Sequence, residues 1–197
     1  MSNIAVFGGT FNPIHTEHVK MIEHLSTLGF IDKVLVIPTH IPPHKAVGYL
    51  AGDEHRLNMC RLATEGIKKV SVSDFEIKRQ GKSYTFYTVE ALKKAYENDD
   101  IYIVCGGDMA ITLDTWHRYG ELKKLCTFLV VDRPGTDKAE LRNYLDALIK
   151  DGAKIEYTCL VTADVSSTII RSNIENGKFI PNKVYAYIKE NGLYEAE

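Results

Sequence analysis

Several features that mark other classes of protein are missing from this chain of 197 residues. No apolar run is long enough to span a bilayer, and Met1-Ser2-Asn3 leads directly into a short apolar stretch, so we expect neither a membrane anchor nor a secretory signal. The formal net charge is only -2, which gives no general attraction to nucleic acid or to anionic lipid. The sequence therefore predicts a cytoplasmic protein that binds neither nucleic acid nor membrane.

Cysteine is also scarce, because the chain has only four cysteines and none of them forms a C-x-x-C pair. Their wide spacing predicts reduced, mostly buried thiols rather than a disulfide framework. The pairs His15/His18 and His40/His44 have spacings that a metal site could use, but no cysteine or carboxylate cluster completes either set. We therefore expect no metal ion that is held by protein ligands alone.

Short apolar runs alternate with helical patterns along the whole chain, and 45% of the residues are hydrophobic, enough for a sizeable core. Runs such as Ile4–Phe7 and Lys33–Pro38 are typical of buried parallel strands, whereas Lys138–Lys150 has helical spacing. The pattern predicts an α/β fold with a doubly wound parallel sheet, as a single domain over residues 1–197. We also expect Asp53 to cap a helix over 54–65, and the polar stretch 76–83 to be extended.

The first strand is followed by a glycine turn that has the chemistry of a phosphate site. Gly8 and Gly9 lack a Cβ, so their N–H groups can approach a bulky anion, and a helical pattern begins within a few residues of Pro13. His15 and His18 are three residues apart on one face of that helix, where imidazole donors or a protonated ring could stabilise charge on phosphorus. The turn lacks the Lys-Ser/Thr of a P-loop and the third glycine of the dinucleotide fingerprint. A plain strand-to-helix turn with surface histidines is the simpler alternative.

The stretch G-G-T-F-N-P-I-H-T-E-H resembles the signature of the nucleotidyltransferase superfamily that carries the H-x-G-H motif. The one departure is Glu17, which stands where the family has glycine beside the nucleotide, so we expect it to affect ATP binding. Near the C-terminal end, V-S-S-T-I-I-R (165–171) resembles the second signature of the superfamily, with Ser166 or Ser167 capping a helix and Arg171 on its face. An ordinary capped helix is the alternative there. The resemblance implies a Rossmann-like nucleotidyltransferase fold.

Two further segments are similar to bacterial nicotinate-nucleotide adenylyltransferases: I-P-x-x-x-P-P-H-K, which ends in Lys45, and E-I-x-R-x-G-x-S-Y-T, which ends in Thr85. The second implies that backbone N–H groups at the start of a helix hold a pyridine carboxylate, and the resemblance places Trp116 at the pyridine pocket. Simple capping at Ser83 and Thr85 and a core role for Trp116 are the alternatives.

The resemblance implies adenylyl transfer from ATP to nicotinate mononucleotide, giving nicotinate adenine dinucleotide and pyrophosphate for NAD synthesis, with Mg²⁺ carried by ATP. The residues expected to be catalytic are His15, His18 and Arg171. Those expected to bind ATP are Gly8, Gly9, Thr10, Phe11, Gly107, Asp108, Ser166, Ser167 and Thr168. Those expected to bind the acceptor are Asn12, His44, Lys45, Ser83, Tyr84, Thr85 and Trp116.

Two other functions remain open from the sequence. One is a superfamily transferase with a different acceptor, such as nicotinamide mononucleotide or a pantetheine phosphate. The other is a non-catalytic nucleotide-binding protein, for which Glu17 is the argument. The sequence also leaves open whether the chain forms a homo-oligomer.

Overall fold

A computed structural model describes residues 1–42, 49–132, 138–160, 163 and 165–194, and in these parts of the chain six parallel strands form one sheet. The strands are β1 (Asn3–Gly9), β2 (Lys33–Pro38), β3 (Val70–Val72), β4 (Asp100–Gly106), β5 (Thr127–Asp132) and β6 (Lys154–Cys159). Their order across the sheet is β3-β2-β1-β4-β5-β6. The strands β2 and β3 are therefore added on one side of β1, and β4, β5 and β6 on the other side. This order confirms the predicted doubly wound α/β fold.

Helices cover both faces of the sheet, as the alternation of strand and helix patterns predicts. The α-helices are α1 (Thr16–Thr27), α2 (Asp53–Thr64), α3 (Phe75–Arg79), α4 (Thr85–Ala95), α5 (Gly107–Ala110), α6 (Tyr119–Leu125), α7 (Lys138–Lys150), α8 (Ser167–Arg171) and α9 (Asn182–Glu190). Short 3₁₀ helices lie at Leu113–Thr115 and Ile174–Asn176. No helix among the described residues is long and apolar enough to cross a membrane.

The two faces of β1 contribute to two separate parts of the core, because successive side chains of a strand point to opposite sides. Ala5 and Phe7 pack in the cluster that includes Met21 of α1, whereas Ile4 and Val6 pack in the cluster that includes Val89 of α4. Burial on both faces explains why β1 has a continuous apolar sequence rather than an alternating one. It also holds the end of the strand, where the glycine turn begins, in a fixed position.

The predicted cap of α2 is wrong. The helix begins at Asp53 itself, with Gly52 at the N-cap position and no side chain capping it. The Asp53 carboxylate instead contacts the guanidinium of Arg56 and the ring of His40. Arg56 is fully buried, and a buried guanidinium requires a charged partner and hydrogen bonds, so the carboxylate is drawn to it rather than to the helix N-terminus.

The extended segment predicted over residues 76–83 is also wrong at its beginning, because Phe75–Arg79 forms the short helix α3. The Ser73 hydroxyl accepts a hydrogen bond from the Phe75 N–H at 3.2 Å, which supports the turn into the helix. Glu76 then points inward, and its carboxylate accepts a hydrogen bond from the Thr88 hydroxyl of α4 at 2.6 Å. The polar composition of this stretch did not indicate a helix, because Thr88, which contacts Glu76, lies on α4 and is not a local neighbour.

Candidate active site

A cavity of about 330 Å³ lies at the carboxyl ends of β1 and β4, where the strand order reverses. Open α/β sheets bind their ligands at this position. The structure brings to its walls residues from widely separated segments of the chain. The predicted site residues among them are Gly8, Gly9, Thr10, Phe11, His18, Ser83, Tyr84, Thr85, Asp108, Trp116 and Ser167.

The other predicted site residues fall into two groups. His44 and Lys45 lie outside the described residues. The remaining ones are described and do not line the cavity, and they are His15, Asn12, Gly107, Ser166, Thr168 and Arg171. Most of this second group supports residues that do line it, as the following contacts show.

The two glycines at the end of β1 have different physical roles. A Cβ added to Gly8 would meet no atom of the described residues within 4 Å, so the backbone there is open to the cavity. A Cβ on Gly9 would lie 2.8 Å from the ring of Phe11, which adopts a left-handed backbone conformation with φ of 47° and folds over the glycine. Gly8 therefore gives a ligand access to the backbone, whereas Gly9 is needed for packing inside the turn.

His15 and His18 cap the first turn of α1 through each other's backbone. The His18 N–H donates to Nδ1 of His15 at 3.4 Å, and the His15 N–H donates to Nδ1 of His18 at 3.3 Å. The rings stack with centroids 3.6 Å apart. Since a ring nitrogen that accepts a hydrogen bond carries no proton, the proton of each neutral ring is on Nε2. In this tautomer His18, which lines the cavity, has an N–H donor at Nε2.

The segment of the second signature is attached to the same glycine turn. Ser166 is the N-cap of α8, and its hydroxyl accepts from the Ile169 N–H at 3.3 Å. Ser167 lines the cavity, and its hydroxyl donates to the Pro13 carbonyl oxygen at 3.0 Å. Arg171 donates through Nη1 to the Asn12 carbonyl oxygen at 2.7 Å and through Nη2 to the Thr168 hydroxyl at 3.3 Å. These contacts fix α8 beside the turn.

The Asn12 side chain is almost completely buried and fastens the turn to the rest of the fold. Its amide nitrogen donates to the Tyr49 carbonyl oxygen at 2.7 Å. Its oxygen accepts from the Ala51 N–H at 3.1 Å and from the Tyr194 hydroxyl at 2.8 Å. The side chain is therefore occupied by protein partners, and the binding role expected for Asn12 stays a prediction.

The other end of the cavity is built around the start of α4. Tyr84 is the N-cap of this helix, and no side chain caps it, so Ser83 and Thr85 do not serve as side-chain caps. The Ser83 hydroxyl instead accepts from the His40 N–H at 3.0 Å. Backbone donors in the first turn of α4 can therefore serve an anionic ligand. The ring of Tyr84 stacks on His117 with centroids 4.3 Å apart.

Trp116 is half-buried and lines the cavity, with its ring edge-to-face against Phe128 of the core at a centroid distance of 6.3 Å. It thus combines the two roles that the sequence offered as alternatives, packing and pocket lining. Asp108 lines the same cavity from the first turn of α5, while Gly107 is buried beneath it.

The four cysteines are free thiols; Cys60, Cys105 and Cys126 are buried and Cys159 is exposed, which confirms the predicted mostly buried thiols. Cys105 lines the cavity, but burial, helped by the charge of Asp108, raises the pKa of its thiol to about 12. A thiol with so high a pKa is not a nucleophile near neutral pH. Within the described residues no group of three or more histidine, cysteine or carboxylate side chains is placed to hold a metal ion.

Comparison with protein families places this site in context, since the profile described as "Cytidylyltransferase-like" matches residues 6–173. The chain belongs to the cytidylyltransferase-like family. A Bacillus subtilis relative named nicotinate-nucleotide adenylyltransferase is 36% identical over 200 residues and covers 100% of both chains. A Listeria monocytogenes serotype 4b relative, named probable nicotinate-nucleotide adenylyltransferase, is 36% identical over 97% of this chain and 96% of its own. The predicted resemblance to this group of enzymes is confirmed.

Solved structures agree on the fold of this cytidylyltransferase-like chain. Plasmodium falciparum nicotinic acid mononucleotide adenylyltransferase complexed with APC superposes with a TM-score of 0.80 at 19% identity, over 98% of each chain. A second solved structure, from Vibrio parahaemolyticus, gives a TM-score of 0.68 at 21% identity, over 100% of this chain and 98% of the other. At such low identity the likeness concerns the Rossmann-like fold alone.

Glu17, the departure from the family signature, does not line the cavity. Its buried carboxylate accepts from Lys20 Nζ at 2.8 Å and from the Ala163 N–H at 2.9 Å. Burial alone would raise the pKa of this carboxyl, but the hydrogen bonds from Lys20 and Ala163 outweigh it and hold the pKa below its usual value. The carboxylate thus connects α1 to the segment that leads into α8 without entering the site.

Several lining residues were given no role from the sequence, and Glu76, Thr88 and His117 are the polar ones nearest the start of α4. A signal was present for two of them, because Glu76 opens the E-I-x-R motif and Thr88 follows S-Y-T at one helical turn. That motif did not show that Glu76 and Thr88 contact each other. The contact depends on how α3 and α4 pack.

Proposed function

We propose that this chain transfers the adenylyl group of ATP to the 5′-phosphate of nicotinate mononucleotide, forming nicotinate adenine dinucleotide and releasing pyrophosphate. The observation that carries the proposal is a single cavity with two unlike ends. One end has donors for a triphosphate in the His18 ring and in the backbone at Gly8 and Ser167, since the Ser167 hydroxyl already donates to Pro13. The other has an uncapped helix start and aromatic rings, which suit a pyridine ring with an anionic substituent.

The full-length relatives carry the adenylyltransferase name, which supports this function over a pantetheine-phosphate acceptor or a role limited to nucleotide binding. The position of Glu17 supports it as well. Because its carboxylate is bound to Lys20 and Ala163 and lies off the cavity wall, the main argument for a non-catalytic protein is weakened.

In the proposed reaction an oxygen of the acceptor phosphate attacks the α-phosphorus of ATP. A P–O bond forms to that oxygen, and the bond to the β-phosphate oxygen breaks, so pyrophosphate leaves with the electron pair. A phosphate monoester is already ionised near neutral pH, so no strong general base is needed. Catalysis then depends on positioning and on donors directed at the developing charge.

His18 is proposed to supply the central donor, through its Nε2–H, with His15 keeping the ring in that tautomer. Gly8, Gly9, Thr10 and Phe11 form the turn around the phosphates. At the leaving-group side the proposed residues are Ser167, which lines the cavity, and Ser166, Thr168 and Arg171 behind it. Asp108 is proposed on the adjacent wall, with Gly107 buried beneath it.

At the acceptor end, the first turn of α4 is proposed to bind the pyridine carboxylate through the backbone N–H of Thr85, with Trp116 against the ring. The N–H groups of Ser83 and Tyr84 already donate to the carbonyl oxygens of Ile41 and Lys82, at 2.9 and 3.0 Å, so these two residues are proposed to shape the turn. His44 and Lys45 are proposed for the 5′-phosphate. Mg²⁺ is proposed to arrive with ATP, where it neutralises phosphate charge. Asp108 is a suitable outer partner for its waters, since Mg²⁺ keeps several of them.

The test is release of pyrophosphate by the purified chain with ATP and Mg²⁺, with nicotinate mononucleotide, nicotinamide mononucleotide or pantetheine phosphate as the acceptor. We expect rapid release with nicotinate mononucleotide and formation of the dinucleotide in equal amount. If folded protein that binds ATP released no pyrophosphate with nicotinate mononucleotide, the proposal would be contradicted. We also propose a cytosolic location, which the four free thiols support, and sedimentation of the purified chain would test for a homo-oligomer.

A further inference from the structure

Glu76 is a carboxyl group buried in the wall of the cavity, at the end where α4 begins. Its side chain is only 5% exposed, and it lies on the lining together with Ser83 and Thr88. Nothing in the proposed reaction uses it. A glutamate buried to this degree is uncommon unless it is paired with a cation or has a function.

The two oxygens of Glu76 have unequal surroundings. Oε1 accepts a hydrogen bond from the Thr88 hydroxyl at 2.6 Å, which fixes this oxygen as an acceptor. Oε2 is buried and has no hydrogen-bond partner among the described residues. Ser83 lies close enough to lower the pKa of the carboxyl, but its hydroxyl makes no hydrogen bond of normal geometry with Oε2. An ionised carboxylate would therefore have one uncompensated oxygen, whereas a proton on Oε2 removes that cost.

The charged groups around Glu76 do not reverse this preference. Arg79 follows it on α3 and lowers the pKa of the carboxyl, yet the larger effect of burial leaves the pKa raised. Nη2 of Arg79 donates to the Lys82 carbonyl oxygen at 2.5 Å, and its Nε is buried without a hydrogen-bond partner among the described residues, so Arg79 does not neutralise Oε2 through a hydrogen bond. The other ionisable side chains that line the cavity are His18, Tyr84, Cys105, Asp108 and His117.

We propose that Glu76 determines which pyridine substituent the acceptor end admits. A neutral Glu76 behind the start of α4 leaves the helix N-terminus free to bind an anionic carboxylate. An ionised Glu76 adds a like charge within the same poorly solvated wall, which opposes a carboxylate and favours an uncharged carboxamide. This inference rests on the proposed function, because it concerns the choice between nicotinate and nicotinamide mononucleotide. Glu76 acts here through its charge, as a specificity-determining residue.

The experiment measures kcat/KM for the two mononucleotides from about pH 5 to about pH 9, spanning the range from an ordinary carboxyl to one with a strongly raised pKa. Both substrates carry the same 5′-phosphate, so its titration cancels in the ratio of the two values. We expect the ratio of nicotinate to nicotinamide to fall by roughly tenfold as the pH rises, the effect of one nearby like charge. The fall should reside mainly in KM for nicotinate mononucleotide.

Glu76→Gln is the decisive variant, because it is neutral at every pH and nearly isosteric. We expect it to keep the preference for nicotinate and to make the ratio independent of pH. Glu90→Gln on α4 is the matched control, since it makes the same change at an exposed side chain that pairs with Lys94, and its ratio should follow that of the unmodified chain. Thr88→Val is a second variant, which removes the hydrogen bond to Oε1 and should move the fall in the ratio to higher pH.

A ratio that is flat in the unmodified chain, or that falls equally in Glu76→Gln, would overturn the inference while leaving the proposed function intact. A Glu76→Gln variant that loses its preference for nicotinate would overturn it in the same way. If neither mononucleotide reacted in the unmodified chain or in any variant, the proposed function itself would be overturned. Infrared difference spectra give a readout without turnover: the carbonyl band of a protonated carboxylic acid should disappear as the pH rises through the same range in which the ratio falls, and Glu76→Gln should lack this change.

Discussion

The two ends of the cavity are built in opposite ways. At the nucleotide end most of the proposed site side chains already have protein partners: His15 and His18 cap each other's backbone, Asn12 makes three hydrogen bonds, and Arg171 binds the Asn12 carbonyl. At the acceptor end α4 begins without a side-chain cap. Oε2 of Glu76 also has no partner among the described residues there.

This difference matches what each end is proposed to do. A triphosphate undergoing transfer requires donors that are already fixed, because reorganising them would cost free energy at the moment of reaction. An acceptor pocket has to tell similar substituents apart, and unsatisfied polar groups do so because they penalise the wrong partner. We therefore expect changes at the nucleotide end to affect rate and fold, and changes at the acceptor end to affect choice of substrate.

The largest effect should come from His18→Ala, which removes the side-chain donor proposed to contact the phosphates at the nucleotide end. We expect kcat to fall by roughly 10²–10³-fold, the scale of losing one such donor. His24→Ala on the same helix, whose ring contacts Thr158, is the control and should retain kcat. Steady-state pyrophosphate release measures both. A near-normal kcat for His18→Ala would show that the hydrogen bonds which fix His18 serve the fold and not catalysis.

Arg171→Ala tests whether the attachment of α8 to the turn serves ATP. Loss of the charged hydrogen bond to the Asn12 carbonyl should weaken ATP use by about 10- to 100-fold, the equivalent of about 1.5–3 kcal/mol. The change should appear in KM for ATP and leave KM for the mononucleotide little altered. The exposed Arg142, on α7, is the control for loss of an arginine. An equal rise in both KM values would argue against separate ends.

Gly9→Ala should destabilise the nucleotide end by about 1–3 kcal/mol, because the new methyl group would lie 2.8 Å from the Phe11 ring and force it to move. Gly8→Ala is the matched control for stability, since its methyl group would meet no atom within 4 Å. Urea unfolding of the two variants compares them directly. If both lost the same stability, the assignment of packing to Gly9 and ligand access to Gly8 would fail.

The smallest effect should come from Glu17→Gln. Because the folded state lowers the pKa of Glu17, the carboxylate stabilises the fold above the ordinary glutamate pKa of about 4.3, and the contribution disappears as the pH falls through the lower folded value. We expect a loss of about 1 kcal/mol near neutral pH that shrinks on acidification. Glu23→Gln, at an exposed position of α1, is the control. A loss that is constant with pH would contradict the ionic role.

Local patterns predicted many of the elements correctly. The bounds of β2 (Lys33–Pro38) and α7 (Lys138–Lys150) match the prediction, because apolar runs and helical spacing are properties of neighbouring residues. A serine cap at Ser166 or Ser167 was predicted for the same reason, and Ser166 is the one observed. The site motifs indicated the segments that meet at the cavity, since the carboxyl ends of parallel strands share one edge of the sheet.

Only the tertiary structure decided how those segments interact. The helix α3 was missed because Glu76 is stabilised by Thr88 of another helix. The predicted Asp53 cap was wrong because the buried Arg56 binds its carboxylate. Asn12 contacts Tyr49, Ala51 and Tyr194, and no local pattern could bring these residues together. The sequence by itself determined the elements and the motifs, and burial of distant partners against each other decided which polar groups are satisfied and which are left for a ligand.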